Sequence, residues 1–463
     1  MSAQPNPTAS VESRLAHWIV DLSLQQVPSS VLAVARTCLA DGVGVMLAGS
    51  ATSVFKTCAA LPRGTGQCSV VDGSSNTDAS SAALLNGAAG HALDFDDTSY
   101  AGIVHGTAAV LPAVLALSQE LNANGAALLE AFIAGVETEY ALGLALTETL
   151  YDQGFWTTAT LGVIGAAAGC AKLLKLNEAS TANAIQLAAN MPLGLRVTHG
   201  TLGKPYLCGM AARLGIEAAY AAKAGISGQT DTFEKPRGYA STLNRGVFNK
   251  APIDALGTRY SLLNPGIAFK LRPMCSAMQA AADAVVELRN DQTWSLADIE
   301  SVHCYGTALV VSCLPYRIPT KPSEAQFCMP FAIACTLLHG DVRLEHLNEA
   351  TLSDPALVQL MQRISLQEDK SLVPPAEIAS SPEAARVEIC LTDGRLLSQT
   401  VLAATGMPQR PASPEILFRK FMDCATQALL PGHAQTIWEN LQHIEHLPHI
   451  RSLFNSPTSA RRT

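Results

Sequence analysis

Hydrophobic positions recur at helical spacing through most of residues 10–265, and the texture then changes. Ser10 is placed to cap a helix carrying Leu15, Trp18, Ile19 and Leu22, and Pro28-Ser29-Ser30 opens a second that runs to Gly49. The same spacing predicts helices over 78–97, 108–121, 125–151, 158–176, 180–189 and 209–224. Several have no polar face, which places them inside a large bundle. Small residues such as Gly87, Gly90, Gly162, Gly165 and Gly169 would let those helices approach closely. After Asn264-Pro265-Gly266 the β-branched stretch 299–311 reads as a strand, and 386–402 reads as two strands around Thr392-Asp393-Gly394. Helical patterns at 276–290, 325–339 and 354–364 lie among them, and helix resumes at Pro414. The expected architecture is mainly α with an α+β second domain. Residues 1–266 and 406–463 form the helical domain, and 267–405 form the insert. The Pro- and Ser-containing tail after Asn455 reads as frayed.

Composition narrows the function. The chain has 463 residues, 48% hydrophobic and only 15% charged, which is enough for two domains with ample core. A net charge of −8 without a basic stripe argues against a nucleic-acid partner. Twelve cysteines are scattered singly, without zinc-site spacing, and read as small reduced core residues. The polar start, Met1 to Ser10, has no apolar signal-peptide core, and no uninterrupted apolar run reaches the roughly 18 residues of a membrane span. A cytoplasmic enzyme without a membrane partner is therefore expected. There is no GxxxxGK[ST] loop and no GxGxxG between strand and helix, so neither nucleotide, metal nor iron–sulfur cluster is expected.

The densest polar cluster is His91-Ala-Leu-Asp94-Phe-Asp96-Asp97-Thr98, at the end of an otherwise apolar helical stretch. On a continuous helix His91 and Asp94, and Asp94 and Thr98, would share a face. The plain alternative is a solvated acidic helix end, but acids at a C-terminus oppose the helix dipole. A magnesium site lacks a second acid-rich partner motif. The DxDD pattern also occurs as the acid of terpene cyclases, but those need an aromatic cavity and aromatics are only 5% here. His443, His446 and His449 are spaced by three with no acid or cysteine to close a site, and read as a coincidence of spacing.

The run Gly90-His91-Ala92-Leu93-Asp94-Phe95-Asp96-Asp97-Thr98, followed by His105 and Ala109-Val110-Leu111-Pro112, resembles the MmgE/PrpD family. That family includes 2-methylcitrate dehydratases, cis-aconitate decarboxylases and iminodisuccinate epimerases. Thr158 to Gly162, Gly200 to Pro205, Glu234 to Tyr239, and Pro265 to Lys270 with Pro273 extend the resemblance over nearly the whole chain. It implies a large helical domain plus a smaller α+β domain in a homodimer. It implies site roles for Asp94, Thr98, His105, Lys204, Lys270 and Tyr316. Its chemistry suits these residue types. A small polycarboxylate in a dry pocket needs several cations, which Lys204, Lys270 and Arg272 can supply. Loss of CO2 from an aconitate leaves an allylic carbanion shared with the adjoining carboxylate, and nearby cations stabilise it. His105 is the natural proton donor, oriented by Asp94 or Thr98. A lone histidine or loop lysine is more often structural; only their joint occurrence in family order reverses that.

The sequence also departs from the pattern. Where cis-aconitate decarboxylases have a site histidine after a Gly-aromatic pair, Gly154-Phe155 is followed by Trp156, which offers bulk and one indole N–H. The loop from Thr98 to His105 is one residue longer, and Gln279 stands where a histidine often follows the lysine motif. His199 precedes a Gly turn and could line the pocket. The expected function is cofactor-free decarboxylation of trans- or cis-aconitate to an itaconate-like product. Epimerisation of a dicarboxylate such as iminodisuccinate is the alternative, with 2-methylcitrate-type dehydration behind it. Epimerisation needs two acid–base groups, and with Trp156 present the second would be Lys204 or Tyr316.

Overall fold

The computed structural model describes residues 9–146, 149–191, 194–290, 293–372 and 382–454. The tail after Asn455 lies outside them. Ser10 caps the Val11–Asp21 helix through Ser13, and the second helix is Ser29–Gly49. That second helix is long and apolar enough to cross a membrane, yet most of it is buried within the protein. Its Asp41 is paired with Lys420 at 2.6 Å. The bundle continues as Ala79–His91, Gly106–Glu120, Gly125–Leu146, Thr157–Leu173, Glu178–Ala189 and Gly203–Lys223.

Glycine lets these helices touch. A Cβ on Gly87 would come 2.8 Å from the Cα of Gly209, and one on Gly209 would lie 2.1 Å from the carbonyl oxygen of Leu84. Gly165 likewise faces the backbone of Gly135. Backbone cannot yield as a flexible side-chain end can, so Gly209→Ala should push the Ala79–His91 and Gly203–Lys223 helices apart. We expect a loss of about 1–3 kcal/mol in urea unfolding. Because those two helices carry His91 and Lys204, weaker ligand binding should accompany it.

One hydrophobic core gathers residues from Val11 to Ile267 and from Phe421 to Leu453, while a second gathers Tyr151 and residues from Ala268 to Met407. The second is built on a four-stranded sheet in the order β4-β3-β5-β6, where β3 is Ile299–Gly306, β4 Ile364–Glu368, β5 Ala385–Leu391 and β6 Leu396–Val401. A two-stranded ribbon in the helical domain, β1 (Cys68–Ser69) and β2 (Asn76–Thr77), completes the strands described. β3 pairs parallel with β4 and antiparallel with β5. Ala385, Val387, Ile389 and Leu391 alternate inward along β5, as one buried sheet face requires. The Gln279–Leu288 and Met329–His339 helices pack on the sheet. The hairpin turn expected at Thr392-Asp393-Gly394 is present, with Gly394 at φ 87°.

Four expectations need correction. The strand at 299 ends at Gly306, where Thr307 caps a short Ala308–Cys313 helix through Val310. The pattern at 354–364 is a helix, Pro355–Met361, followed by strand β4, which the short apolar run concealed. The 209–224 helix begins at Gly203, so Lys204 sits in its first turn rather than in a loop. The helix expected over 78–97 ends at His91.

Candidate active site

That last difference creates the site. Beyond His91 the chain leaves the helix, and Asp94 adopts φ 47°, a left-handed conformation that Asp tolerates better than most residues. Asp94 and Thr98 therefore do not lie along one helical face. Two long-range contacts hold the turn instead. Thr98 and Ala268 exchange backbone hydrogen bonds of 2.9 and 2.8 Å, stitching the helical domain to the start of the second. Lys420, from the returning Pro414–Ala425 helix, donates to the carbonyl of Phe95 at 2.9 Å.

The stitch at Ala268 delivers Lys270. Its ammonium donates to Asp94 Oδ1 at 2.6 Å and to the Asp94 carbonyl at 2.8 Å. Lys204 donates to the other carboxylate oxygen of Asp94. One buried carboxylate is thus clamped between two buried ammonium groups from different domains. Burial alone would raise the Asp94 pKa, but Lys204 and Lys270 hold it well below the usual carboxylate range. The same burial would depress Lys270, and Asp94 and Asp96 hold it above its ordinary value.

Beside the clamp lie two imidazoles with ring centroids 4.8 Å apart, those of His91 and His105. His105 Nδ1 lies 2.8 Å from the Asp97 carbonyl, which can only accept. The proton therefore sits on Nδ1, and Nε2 carries the free electron pair. Thr98 Oγ1 lies 3.3 Å from the same Nδ1 and 3.0 Å from Ser276 Oγ, and the His105 backbone N–H donates to Thr158 Oγ1 at 3.0 Å. His91 Nδ1 contacts both oxygens of Asp96 at 2.9 and 2.8 Å. Burial would raise the pKa of Asp96; the His91 and His105 imidazoles and Lys270 bring it below normal. Asp97, which accepts from Thr107 Oγ1, is pushed up to about 7 by burial and by the charges of Asp41 and Asp96.

Burial, aided by Lys270 and only partly opposed by Asp96, pushes His105 down to about 3. Burial and Lys204 do the same to His199, also to about 3, and burial lowers His91. At neutral pH the cluster holds two ammonium groups, the carboxylates of Asp94 and Asp96, a partly ionised Asp97 and three neutral imidazoles. Its net charge is near zero, which does not suit a trianion. Ligand carboxylates that settle beside the cluster add negative charge, which favours the protonated forms of Asp97, already pushed up to about 7, and of the imidazoles. Binding of a tricarboxylate at pH 7 should therefore take up protons and tighten as pH falls from 8 toward 6. Calorimetry in buffers of different ionisation enthalpy measures that uptake, and a value of zero would contradict it.

The remaining expected residues divide. Trp156 is buried, 5.1 Å from the His91 ring, with the Lys204 ammonium 5.2 Å from its own ring centroid. His199 stacks on Phe327 at 5.2 Å, and Lys204 lies 4.8 Å over that phenyl ring. Tyr316 spends its hydroxyl on the His199 carbonyl at 3.1 Å, so it positions the turn at Gly200 instead of offering an acid. Arg272 is a correction. Its guanidinium pairs with Asp283 at 2.8 Å and with Asp341, and so is not available as a third cation for substrate. Gln279 is another, because its amide donates to the carbonyls of Arg272 and Met274 at 3.0 and 3.2 Å, fastening the lysine loop. Ser276, Phe327 and Gln326 belong to the site without having been expected from the sequence.

A cavity of about 20 Å3, room for roughly one water, is lined by His91, Asp94, Lys204, Gly200 to Leu202, Ser323, Gln326 and Phe327 among others. A cavity of that size admits a polycarboxylate only if its lining moves. A larger cavity of about 280 Å3 lies elsewhere, between Ala189 and Leu243. Its buried titratable group, Tyr239, already donates to the Thr160 carbonyl, so size does not mark the chemistry here. Two groups of side chains approach the spacing of a metal site, with donor atoms within 4.8 Å. In His91, Asp96 and His105 those atoms already bond to one another and to the Asp97 carbonyl, which makes a hydrogen-bond network. In Cys335, His339 and His346 the His346 Nδ1 accepts the Arg343 N–H at 3.0 Å, which commits its Nε2 to a proton.

Residues 13–250 match the MmgE/PrpD N-terminal domain and residues 273–445 the MmgE/PrpD C-terminal domain. The chain is 25% identical to the human cis-aconitate decarboxylase over 81% of this chain and 79% of the relative. It is 25% identical to the mouse enzyme of that name, over 97% and 94%. It is 24% identical to the cis-aconitate decarboxylase of Aspergillus terreus over 99% of both chains.

Proposed function

The chain belongs to the MmgE/PrpD family, and on that footing we propose that it is a decarboxylase of an aconitate-type tricarboxylate, working without a cofactor. The observation that carries the reading is the clamp of Lys204 and Lys270 on Asp94 beside the His105 imidazole. The names of its relatives supply the substrate class.

The chemistry follows from the groups present. The ligand's carboxylates exchange places with water and with Asp94 around the two ammonium groups. The carboxylate on the saturated carbon leaves as CO2, and its electron pair spreads through the double bond onto the adjoining carboxylate. Lys204 and Lys270 stabilise that charge in a dry site where it is worth far more than in water. An imidazolium formed at His105 on substrate binding then delivers its Nε2 proton to carbon, giving an itaconate-like product. Asp97 and Thr98 hold the ring through Nδ1.

Trp156 fills space where the related decarboxylases have a histidine, so the pocket favours a different outline of substrate, with trans-aconitate as the expected isomer. Incubation of the purified protein with each isomer, followed by CO2 measurement and product NMR, tests the reading. CO2 and an itaconate-like product from either isomer support it. Release from neither removes it.

A further inference from the structure

His91 is fully buried and shares the Asp96 carboxylate with His105. Its Nδ1 is taken by Asp96, and its Nε2 is buried with no hydrogen-bond partner among the described residues. Unpaired buried polar atoms are rare and call for an explanation. Here the ring lines the small cavity together with Asp94 and Lys204, and the His105 ring lies 4.8 Å from it. A histidine kept only for structure would have its second nitrogen paired or facing apolar side chains. This one leaves its Nε2 electron pair 3.7 Å from Asp94 Oδ2 at the edge of the cavity, and the Asp96 carboxylate fixes its tautomer, as in a hydrolase His–Asp pair.

We propose that His91, oriented by Asp96, is a second acid–base group of this site and catalyses exchange of a carbon-bound proton of the bound unsaturated polycarboxylate with solvent. The identity of the ligand rests on the proposed function; the exchange itself does not require loss of CO2. The methylene between a carboxylate and the carbon–carbon double bond is the acidic position. Its C–H bond breaks as Nε2–H forms, and the electron pair spreads through the double bond onto the conjugated carboxylate beside Lys204. Asp96 stays ionised and stabilises the imidazolium through Nδ1–H. Return of a proton from Nε2, after it has exchanged with water, restores the ligand. No oxidant or further reactant is needed. Tyr316 is occupied and Lys204 is paired with Asp94, so the two imidazoles with a free Nε2 remain, and the His91→Gln variant separates His91 from His105.

The test is incubation of the wild-type protein, His91→Gln and Asp96→Asn with cis- and trans-aconitate in deuterium oxide. CO2 and the deuterium content of recovered substrate are read from the same samples by NMR, against a protein-free control. The expected result is deuterium in the methylene of unreacted substrate with wild type, reduced about tenfold or more by His91→Gln and less by Asp96→Asn. An aconitate-induced rise in melting temperature shows that the variants still fold and bind. No exchange by wild type overturns the inference whatever the variants do, and so does exchange that His91→Gln leaves unchanged. Exchange without CO2 would sink the decarboxylase reading and keep this one; CO2 without exchange does the reverse.

Discussion

Asp94→Ala is expected to cost the empty protein about 3–5 kcal/mol, because it strands two buried ammonium groups without their shared counter-ion. Lys204 and Lys270 are 4% and 2% exposed, so water cannot replace the lost carboxylate. Urea unfolding of wild type and variant gives the difference. A millimolar aconitate should recover part of it, because the ligand's carboxylate can take the vacated place between the ammonium groups. A variant within about 1 kcal/mol of wild type would mean that the clamp is not a buried charge cluster. Activity should vanish as well, since the Asp94 carboxylate sets where both ammonium groups stand.

His105→Gln should behave in the opposite way. The glutamine amide can still donate to the Asp97 carbonyl, so stability changes little. What disappears is a group that can carry a proton to carbon, and the expected loss in the rate of CO2 release is about 10²–10⁴-fold. Single-turnover CO2 measurement beside an unfolding curve separates the two quantities. Equal rates in variant and wild type would move the donor role elsewhere. A large loss of stability would show that the ring at 105 is chiefly structural.

Much of the fold was legible along the chain because its information is local. Helical spacing located the bundle, and Ser10 and Gly394 marked an N-cap and a hairpin turn through their own side chain or lack of one. The short strand β4 was not legible, since a few apolar residues read alike as helix or strand and only its pairing with β3 decides. The end of the Ala79–His91 helix was hidden for a related reason. Nothing in His91-Ala-Leu-Asp94 forbids another turn; the bonds from Lys270 and Lys420 to the Asp94 and Phe95 carbonyls act across the fold.

The site divides in the same way. Asp94, Thr98, His105, Lys204 and Lys270 were visible through the order of their motifs, and the fold gathers all five around one cluster. Arg272 and Gln279 looked equally suitable as side chains, but Asp283 and the carbonyls of 272 and 274 were close enough to claim them. Ser276 and Phe327 had no signal of their own, because a serine or a phenylalanine acquires a role only from what faces it.

By itself the sequence determined the kinds of group available, the helical and α+β division, and the family. These depend on residue type, spacing and order, which a polymer carries whether folded or not. The tertiary structure alone decided which charges neutralise one another, which imidazole faces the cavity, and which nitrogen holds the proton. The charge pairing is set by contacts between residues over a hundred positions apart, the proton positions by contacts across the turn that this pairing holds, and both by the exclusion of water around them.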